Sequence, residues 1–310
     1  MRLVFMGTPE FATESLDCLN ASKHEVVAVV TAPDKPRGRG RKITPSAVKE
    51  TALKLSVPVL QPTNLKSNSF INQLKDCGPD LIVVVAFRIL PEVVFGMPRF
   101  GSINLHASLL PKYRGAAPIN WALINGETKT GMTTFLLNQR VDTGDLLLQR
   151  EIDISFDDNF GSLHDKLMTA GADLLLETIN GLEDGRLKPG IQSPNGITPA
   201  PKLTTLTGLI AWQKSAGELY NLVRGLSPYP GAYSYFNAKK IIILRAAAVE
   251  NSADEEPGTV IESSPTRGIT IACGQDALTI KELKPQGKKS MGSAEYVRGY
   301  HVKVGDKFGD

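Results

Sequence analysis

The chain has 310 residues, of which 42% are hydrophobic, 22% charged and 6% aromatic, with a net charge of +3. That balance is typical of globular proteins and excludes a disordered or collagen-like chain. The length predicts two domains, each large enough to bury its own core, and the small net charge says little about a nucleic-acid partner. No apolar run approaches the ~20 residues of a membrane helix, and Arg2 to Met6 leads into Gly7-Thr8-Pro9 without a small-residue cleavage site, so a cytoplasmic protein is expected. Cys18, Cys77 and Cys273 are odd in number and far apart, which argues against a disulfide framework. His24, His106, His164 and His301 form no pair at ligand spacing, so no metal site is expected.

In chain order, the apolar run Leu3 to Met6, an amphipathic stretch from Glu10 to Leu19 and the run Val26 to Val30 read as a βαβ unit. Thr44-Pro45-Ser46 reads as a helix start, with the Thr44 hydroxyl capping ahead of a proline at the first helical position. Val57 to Leu60 reads as a short strand and Ser67 to Cys77 as a helix. Leu81 to Ala86 lacks alternation, as a strand buried on both faces of a parallel sheet does. Ser102 to Leu105 and Met132 to Leu137 supply further strands, and Ser162 to Leu182 a long helix ending near Gly185. The expected class is α/β, mostly parallel and doubly wound.

From Lys188 to Thr204 the chain turns to Pro189, Gly190, Pro194, Gly196, Pro199 and Pro201, the composition of a semi-rigid connection. The expected limits are therefore 1-188 for a first domain, 189-204 for a linker and 205-310 for a second domain. After a helix from Ser215 to Leu226, the second domain reads as five short strands at 232–236, 241–244, 259–261, 268–272 and 277–280, the pattern of a small barrel.

The first strand-to-helix turn, Gly7-Thr8-Pro9-Glu10-Phe11, has one glycine where a dinucleotide turn needs three, so no nicotinamide site is expected. More informative is the block from Asn104 to Pro118, at the carboxyl end of a predicted parallel strand, where open α/β sheets place their ligands. Asn104 and His106 are two apart, so on an extended segment an amide and an imidazole leave the same face. A lone strand-end histidine is more often structural. Here Ser108-Leu109-Leu110-Pro111 continues it as a pocket wall would. Val141-Asp142-Thr143-Gly144-Asp145 follows the predicted strand Met132 to Leu137 and offers a carboxylate to pair with His106, although alone it reads as a turn.

With these residues in view the chain resembles the methionyl-tRNA formyltransferases. The similarity covers Phe5 to Phe11, Pro33 to Gly40, Asn104 to Pro118, Asp142 to Asp145, Leu226 to Ala232 and Lys284 to Met291. The Ser-Leu-Leu-Pro block marks folate formyltransferases at large, while the basic loop and the C-terminal signatures mark this branch. The resemblance implies a Rossmann-like formyltransferase domain followed by an OB-like β-barrel that binds tRNA. It implies transfer of the formyl group of 10-formyltetrahydrofolate to the amine of initiator methionyl-tRNA, by direct amine attack through a tetrahedral intermediate. Asn104, His106 and Asp142 match the catalytic positions: the first two would stabilise the developing oxyanion, and Asp142 would orient and charge His106.

By the same resemblance the folate donor lies against Phe87, Arg88, Ile89 and Leu90, along Ser108, Leu109, Leu110 and Pro111, and beside Val141. Phe87-Arg88-Ile89-Leu90 departs from the Tyr-Gly-Leu-Ile-Leu usual in this branch and is closer to glycinamide ribonucleotide formyltransferases. The loop from Asp34 to Lys42 carries Lys35, Arg37, Arg39, Arg41 and Lys42 against a single acid, with glycines at 38 and 40. A basic loop alone is commonly a solvated excursion. Beside a formyl-transfer site it reads as an arm for the tRNA acceptor end, Arg39 matching the family position. Residues 205–310 hold 13 basic and 11 acidic side chains, so a tRNA face there depends on clustering such as Lys284, Lys288 and Lys289. A monomer is expected. Two other readings stay open: a formyltransferase or deformylase acting on a nucleotide or sugar, and an RNA-binding protein with a retired active site.

Overall fold

The computed structural model describes residues 1–37, 42–251 and 255–309, and of Arg37 and Lys42 the backbone alone. The elements of the first half are β1 (Arg2–Gly7), α1 (Thr13–Asn20), β2 (Glu25–Val30), β3 (Lys35–Arg37), β4 (Lys42–Thr44), α2 (Ala47–Lys54), β5 (Val59–Leu60), α3 (Asn68–Asp76), β6 (Leu81–Val85), α4 (Glu92–Phe95) and β7 (Ser102–His106). There follow β8 (Arg114–Gly115), α5 (Pro118–Ile124), β9 (Lys129–Leu136), β10 (Leu146–Asp153), α6 (Phe160–Glu183) and β11 (Pro199–Ala200). The remainder is α7 (Ala216–Leu226), β12 (Ala232–Phe236), β13 (Lys239–Val249), β14 (Val260–Ser264), β15 (Gly268–Ala272), β16 (Ala277–Pro285), β17 (Met291–Gly292) and α8 (Ser293–Tyr300).

The chain forms two compact units. The first comprises Met1–Gly115, Lys129–Asp153 and His164–Ala200, the second Ala116–Thr128, Ile154–Leu163 and Pro201–Asp310. Among the described residues no helix is long and apolar enough to cross a membrane.

The first unit is built on a seven-stranded sheet in the order β10-β9-β7-β6-β1-β2-β5. β5, β2, β1, β6 and β7 run parallel, whereas β9 runs antiparallel to β7 and β10 antiparallel to β9. From β1 the chain winds outward to β2 and β5, then returns to lay β6 and β7 on the other side. The reversal leaves a crevice outside the carboxyl ends of β1 and β6, where Gly7 pairs with Val85. Every residue of β6 is buried, as its unbroken apolar run requires. Val4, Met6, Ala28, Val30, Ile82 and Val84 form one apolar cluster with Phe70 and Leu74 of α3. Two expectations are corrected. The cap of α2 is Ser46, whose hydroxyl accepts the Lys49 N–H at 3.0 Å, because Thr44 is engaged in β4 opposite Lys35. β9 is antiparallel, so its carboxyl end lies at Ile103, and His106 pairs with Thr133 in its middle.

The second unit holds an antiparallel sheet in the order β12-β13-β16-β15-β14, with β17 paired to β16. Its core gathers Leu219, Val223 and Leu226 of α7 with Ile241, Ile243, Ile269, Ile271, Leu278, Ile280, Tyr296 and Trp212. α7 opens on a capping box formed by Ser215 and Glu218. α5 packs on α7: the Asn120 amide donates to Gly225 O at 2.8 Å, and a Cβ on Gly225 would lie 2.7 Å from Ile124. α8 falls where the sequence predicts only strands and turns. Its eight residues bury only Ser293, Tyr296 and Val297, too short an apolar pattern to stand out in the sequence.

Candidate active site

β7 carries Asn104 and His106, which leave the strand on the same side. His106 is 6% exposed. Its Nε2 lies 2.8 Å from the Tyr113 carbonyl, and because a carbonyl can only accept, Nε2 carries the hydrogen. Nδ1 then faces Asp142 Oδ2 across 3.9 Å. The same carboxylate oxygen accepts the Gly115 N–H at 2.8 Å. Asn104 is half-buried, and its amide has no hydrogen-bond partner among the described residues.

Because β9 leads away from His106, the loop after Leu136 doubles back to deliver Asp142. Gly144 makes the close pass: a Cβ there would lie 1.6 Å from Leu136 O. Asp142 sits at φ 53° and Tyr113 at φ 59°, so both residues that face the His106 ring nitrogens occupy the left-handed region, as does Ala86 (φ 48°) after β6. Such conformations cost about 1–3 kcal/mol each and cluster at functional loops.

Ser108, Leu109, Leu110 and Pro111 form a pinned turn. The Ser108 hydroxyl donates to Lys112 O at 2.6 Å, and Thr133 Oγ1 donates to Ser108 O at 2.6 Å while accepting the Leu110 N–H at 3.1 Å. Gln149 donates to Leu110 O at 2.8 Å. Ser108 and Leu110 are buried, so their contacts are with this turn and its strand neighbours.

Of the other expected donor residues, Ile89 is 77% and Val141 53% exposed, whereas Leu90 is buried in the cluster around Val84, with Phe87 packed against it. Arg88 is committed to its own chain. Its guanidinium donates to Pro62 O and Thr63 O and lies 5.2 Å from the centre of the Phe87 ring. Burial lowers its pKa, and Nε is buried with no hydrogen-bond partner among the described residues. Arg88 therefore fixes the loop beside the crevice and offers little free donor surface.

In the basic loop, β3 and β4 form an antiparallel pair with Lys35 opposite Thr44. Arg39 and Arg41, with the side chains of Arg37 and Lys42, lie outside the described residues. Asp34, the acid at the loop's base, is held by Lys49 Nζ at 2.6 Å and Gln61 Nε2 at 2.8 Å. These bonds, the Lys49 bond first, hold its carboxyl below the usual carboxylate range. In the second unit Lys284, Lys288 and Lys289 are exposed. The β13–β16 register sets Ile242 opposite Lys284, and the Gln286 N–H donates to Lys240 O at 3.0 Å. Lys239 and Lys240 thus join these lysines at one end of the sheet. Only that register, invisible in the linear sequence, brings the two groups together.

Comparison with known proteins settles the family. The Formyl transferase family matches residues 1–179, and its C-terminal domain family matches residues 202–301. A methionyl-tRNA formyltransferase of Caldanaerobacter subterraneus subsp. tengcongensis is 48% identical over 98% of this chain and 99% of its own. The chain belongs to the methionyl-tRNA formyltransferase family. A member from Clostridium acetobutylicum is 47% identical over 98% of both chains. Among solved structures, HypX from Aquifex aeolicus in complex with tetrahydrofolic acid aligns with a TM-score of 0.67 at 19% identity, a likeness of fold alone. It covers 99% of this chain, which spans 48% of the length of HypX.

Proposed function

We propose that the chain transfers the formyl group of 10-formyltetrahydrofolate to the amino group of the methionyl moiety of initiator methionyl-tRNA, for translation initiation. Near-full-length identity with methionyl-tRNA formyltransferases supports the reaction. The observation that carries the chemistry is a histidine pinned at Nε2 by a backbone carbonyl, with Nδ1 toward a carboxylate and, two residues away, an amide that has no partner among the described residues.

In this reading the amine adds to the formyl carbon and the carbonyl oxygen gains negative charge. Asn104 donates to that oxygen. Single donors of this kind are worth roughly 2.7–4 kcal/mol elsewhere. Nε2–H is spent on Tyr113 O, so Nδ1 of His106, which faces the Asp142 carboxylate, is the nitrogen that serves the reacting atoms. The proton lost by the amine passes through this pair toward the leaving nitrogen of the donor. The donor supplies the one-carbon unit. The exposed side chains of Ile89 and Val141 suit the faces of its rings, and the Asn104 amide, without a partner among the described residues, suits its formyl oxygen. Phe87, Leu90 and the turn from Ser108 to Pro111 back that surface, and Arg88 anchors it.

Recognition of tRNA is assigned to the basic loop, Lys35, Arg37, Arg39, Arg41 and Lys42, and to Lys284, Lys288 and Lys289 with Lys239 and Lys240. Asp34, the one acid of the loop, is bound by Lys49 and Gln61, and the loop cations are assigned to phosphates. The antiparallel sheet with α7 and α8 is read as an OB-like tRNA-binding domain over 205-310, joined through 189-204 to the catalytic domain 1-188. The protein is further read as a cytoplasmic monomer.

Incubation with 10-formyltetrahydrofolate and methionyl-initiator tRNA tests the reading. Formyl-methionyl-tRNA is the expected product. Free formate alone would indicate a hydrolase, and binding of tRNA without turnover an RNA-binding protein.

A further inference from the structure

The segment 190–200, read from the sequence as part of a linker, touches both loops that hold His106. Gly190 and Leu146 exchange backbone hydrogen bonds of 2.7 and 2.9 Å at the end of the Asp142 loop. Thr198 Oγ1 accepts the Tyr113 N–H at 2.9 Å, and β11 pairs in parallel with β8. Between them Gln192 is 7% exposed and uses its whole amide. Nε2 donates to Asp142 O at 3.0 Å and to Gly144 O at 2.8 Å, while Oε1 accepts Arg114 Nη2 at 2.6 Å.

We propose that Gln192 is a positioning residue for formyl transfer, clamping the Asp142–Gly144 backbone so that the Asp142 carboxylate faces His106. The inference rests on the functional reading above. Asp142 is a non-glycine residue at φ 53°, a conformation that holds only where its surroundings impose it. Two carbonyls of this loop point at one side chain, and only an amide answers both while also accepting from Arg114. Glutamate at this position would keep the size and the Arg114 contact but set an oxygen against two carbonyl oxygens. Alanine would leave both carbonyls and the guanidinium unpaired. Freed, the loop would move the carboxylate relative to Nδ1, and the amine proton would lose its path.

The test is a double-mutant cycle read by single-turnover formylation with enzyme in excess, alongside melting temperature and the KM for methionyl-tRNA. Gln192→Ala and Gln192→Glu are expected to lower the transfer rate by about 10- to 100-fold, the scale of a displaced catalytic group, with KM within about threefold of wild type. In an Asp142→Ala background, where there is no carboxylate to aim, the further loss is expected to shrink to within about twofold. Wild-type rates in Gln192→Glu overturn the proposal. So does an equal fold-loss in both backgrounds, which would mean that Gln192 acts by some route other than Asp142. Gln192→Glu answers for a Gln192→Ala that fails to fold. A wild-type protein that makes no formyl-methionyl-tRNA removes the functional reading itself, a result distinct from either.

Discussion

His106 Nδ1 stands 3.9 Å from Asp142 Oδ2, longer than a hydrogen bond, while the opposite ring nitrogen is bonded to a backbone carbonyl. At that separation the carboxylate faces Nδ1 without a hydrogen bond to it, so the pair is held by the loops around it. Replacing either partner should therefore cost chemistry more than binding. His106→Ala and Asp142→Asn are expected to lower kcat by about 100-fold or more, the scale of general acid–base catalysis, with tRNA affinity changed little. Steady-state formylation and filter binding of tRNA check this. A matching loss in both would count against it.

Thr133 Oγ1 holds the turn behind His106 through hydrogen bonds to Ser108 O, the Leu110 N–H and Gln149 Nε2. Thr133→Val keeps the shape and removes all of them. A drop of about 1–3 kcal/mol in denaturant unfolding is expected, since buried groups are left unpaired. An unchanged midpoint would show that the turn holds itself.

Gly115 donates to Asp142 from φ +127°, with Ala200 O 2.5 Å from where a Cβ would sit. Gly115→Ala must shift β8 away from β11, so both melting temperature and transfer rate should fall, the strained backbone alone costing about 1–3 kcal/mol. Calorimetry and single-turnover assays of the same sample decide it.

Charge on the tRNA surfaces should show in salt dependence. Arg39→Ala and the combined Lys284→Ala, Lys288→Ala, Lys289→Ala variant should each weaken tRNA binding. Each should also flatten the slope of log Kd against log salt by about one for every phosphate left without its cation. Donor binding should stay at the wild-type level. Titrations between low and moderate salt measure both.

Glu183, at the end of α6, accepts from Lys23 and from the Met1 amine, and these bonds, Lys23 first, hold its carboxyl at about 2 against an ordinary 4.5. A depressed carboxyl contributes stability that is whole above pH 4.5 and disappears as pH falls toward about 2. The group is one-third exposed, so the contribution is small. Melting temperatures of wild type should fall more steeply than those of Glu183→Gln across that window, and parallel curves would refute the linkage.

The parallel part of the sheet was legible because fully buried strands such as Leu81 to Val85 announce themselves as unbroken apolar runs. Asn104 and His106 were legible for a related reason, their two-residue spacing on an extended segment. How Asp142 arrives was not. Whether β9 runs with or against β7 leaves no mark on its own residues, and its antiparallel course means that a returning loop, not a strand end, delivers the carboxylate. Gln192 was hidden by composition. Proline and glycine around it signal a connection, and nothing local tells a buried amide from a solvated one. The lysines at 239 and 240 joined those at 284, 288 and 289 only through sheet register.

The partners of the Asp142 loop lie late in the catalytic half of the chain. A nascent chain released up to Glu183 already contains every strand of the seven-stranded sheet and all three residues assigned to chemistry. It lacks Gln192, Thr198 and Ala200. The ribosome must add the next seventeen or so residues before the loops of Asp142 and Tyr113 can meet Gln192, Thr198 and Ala200.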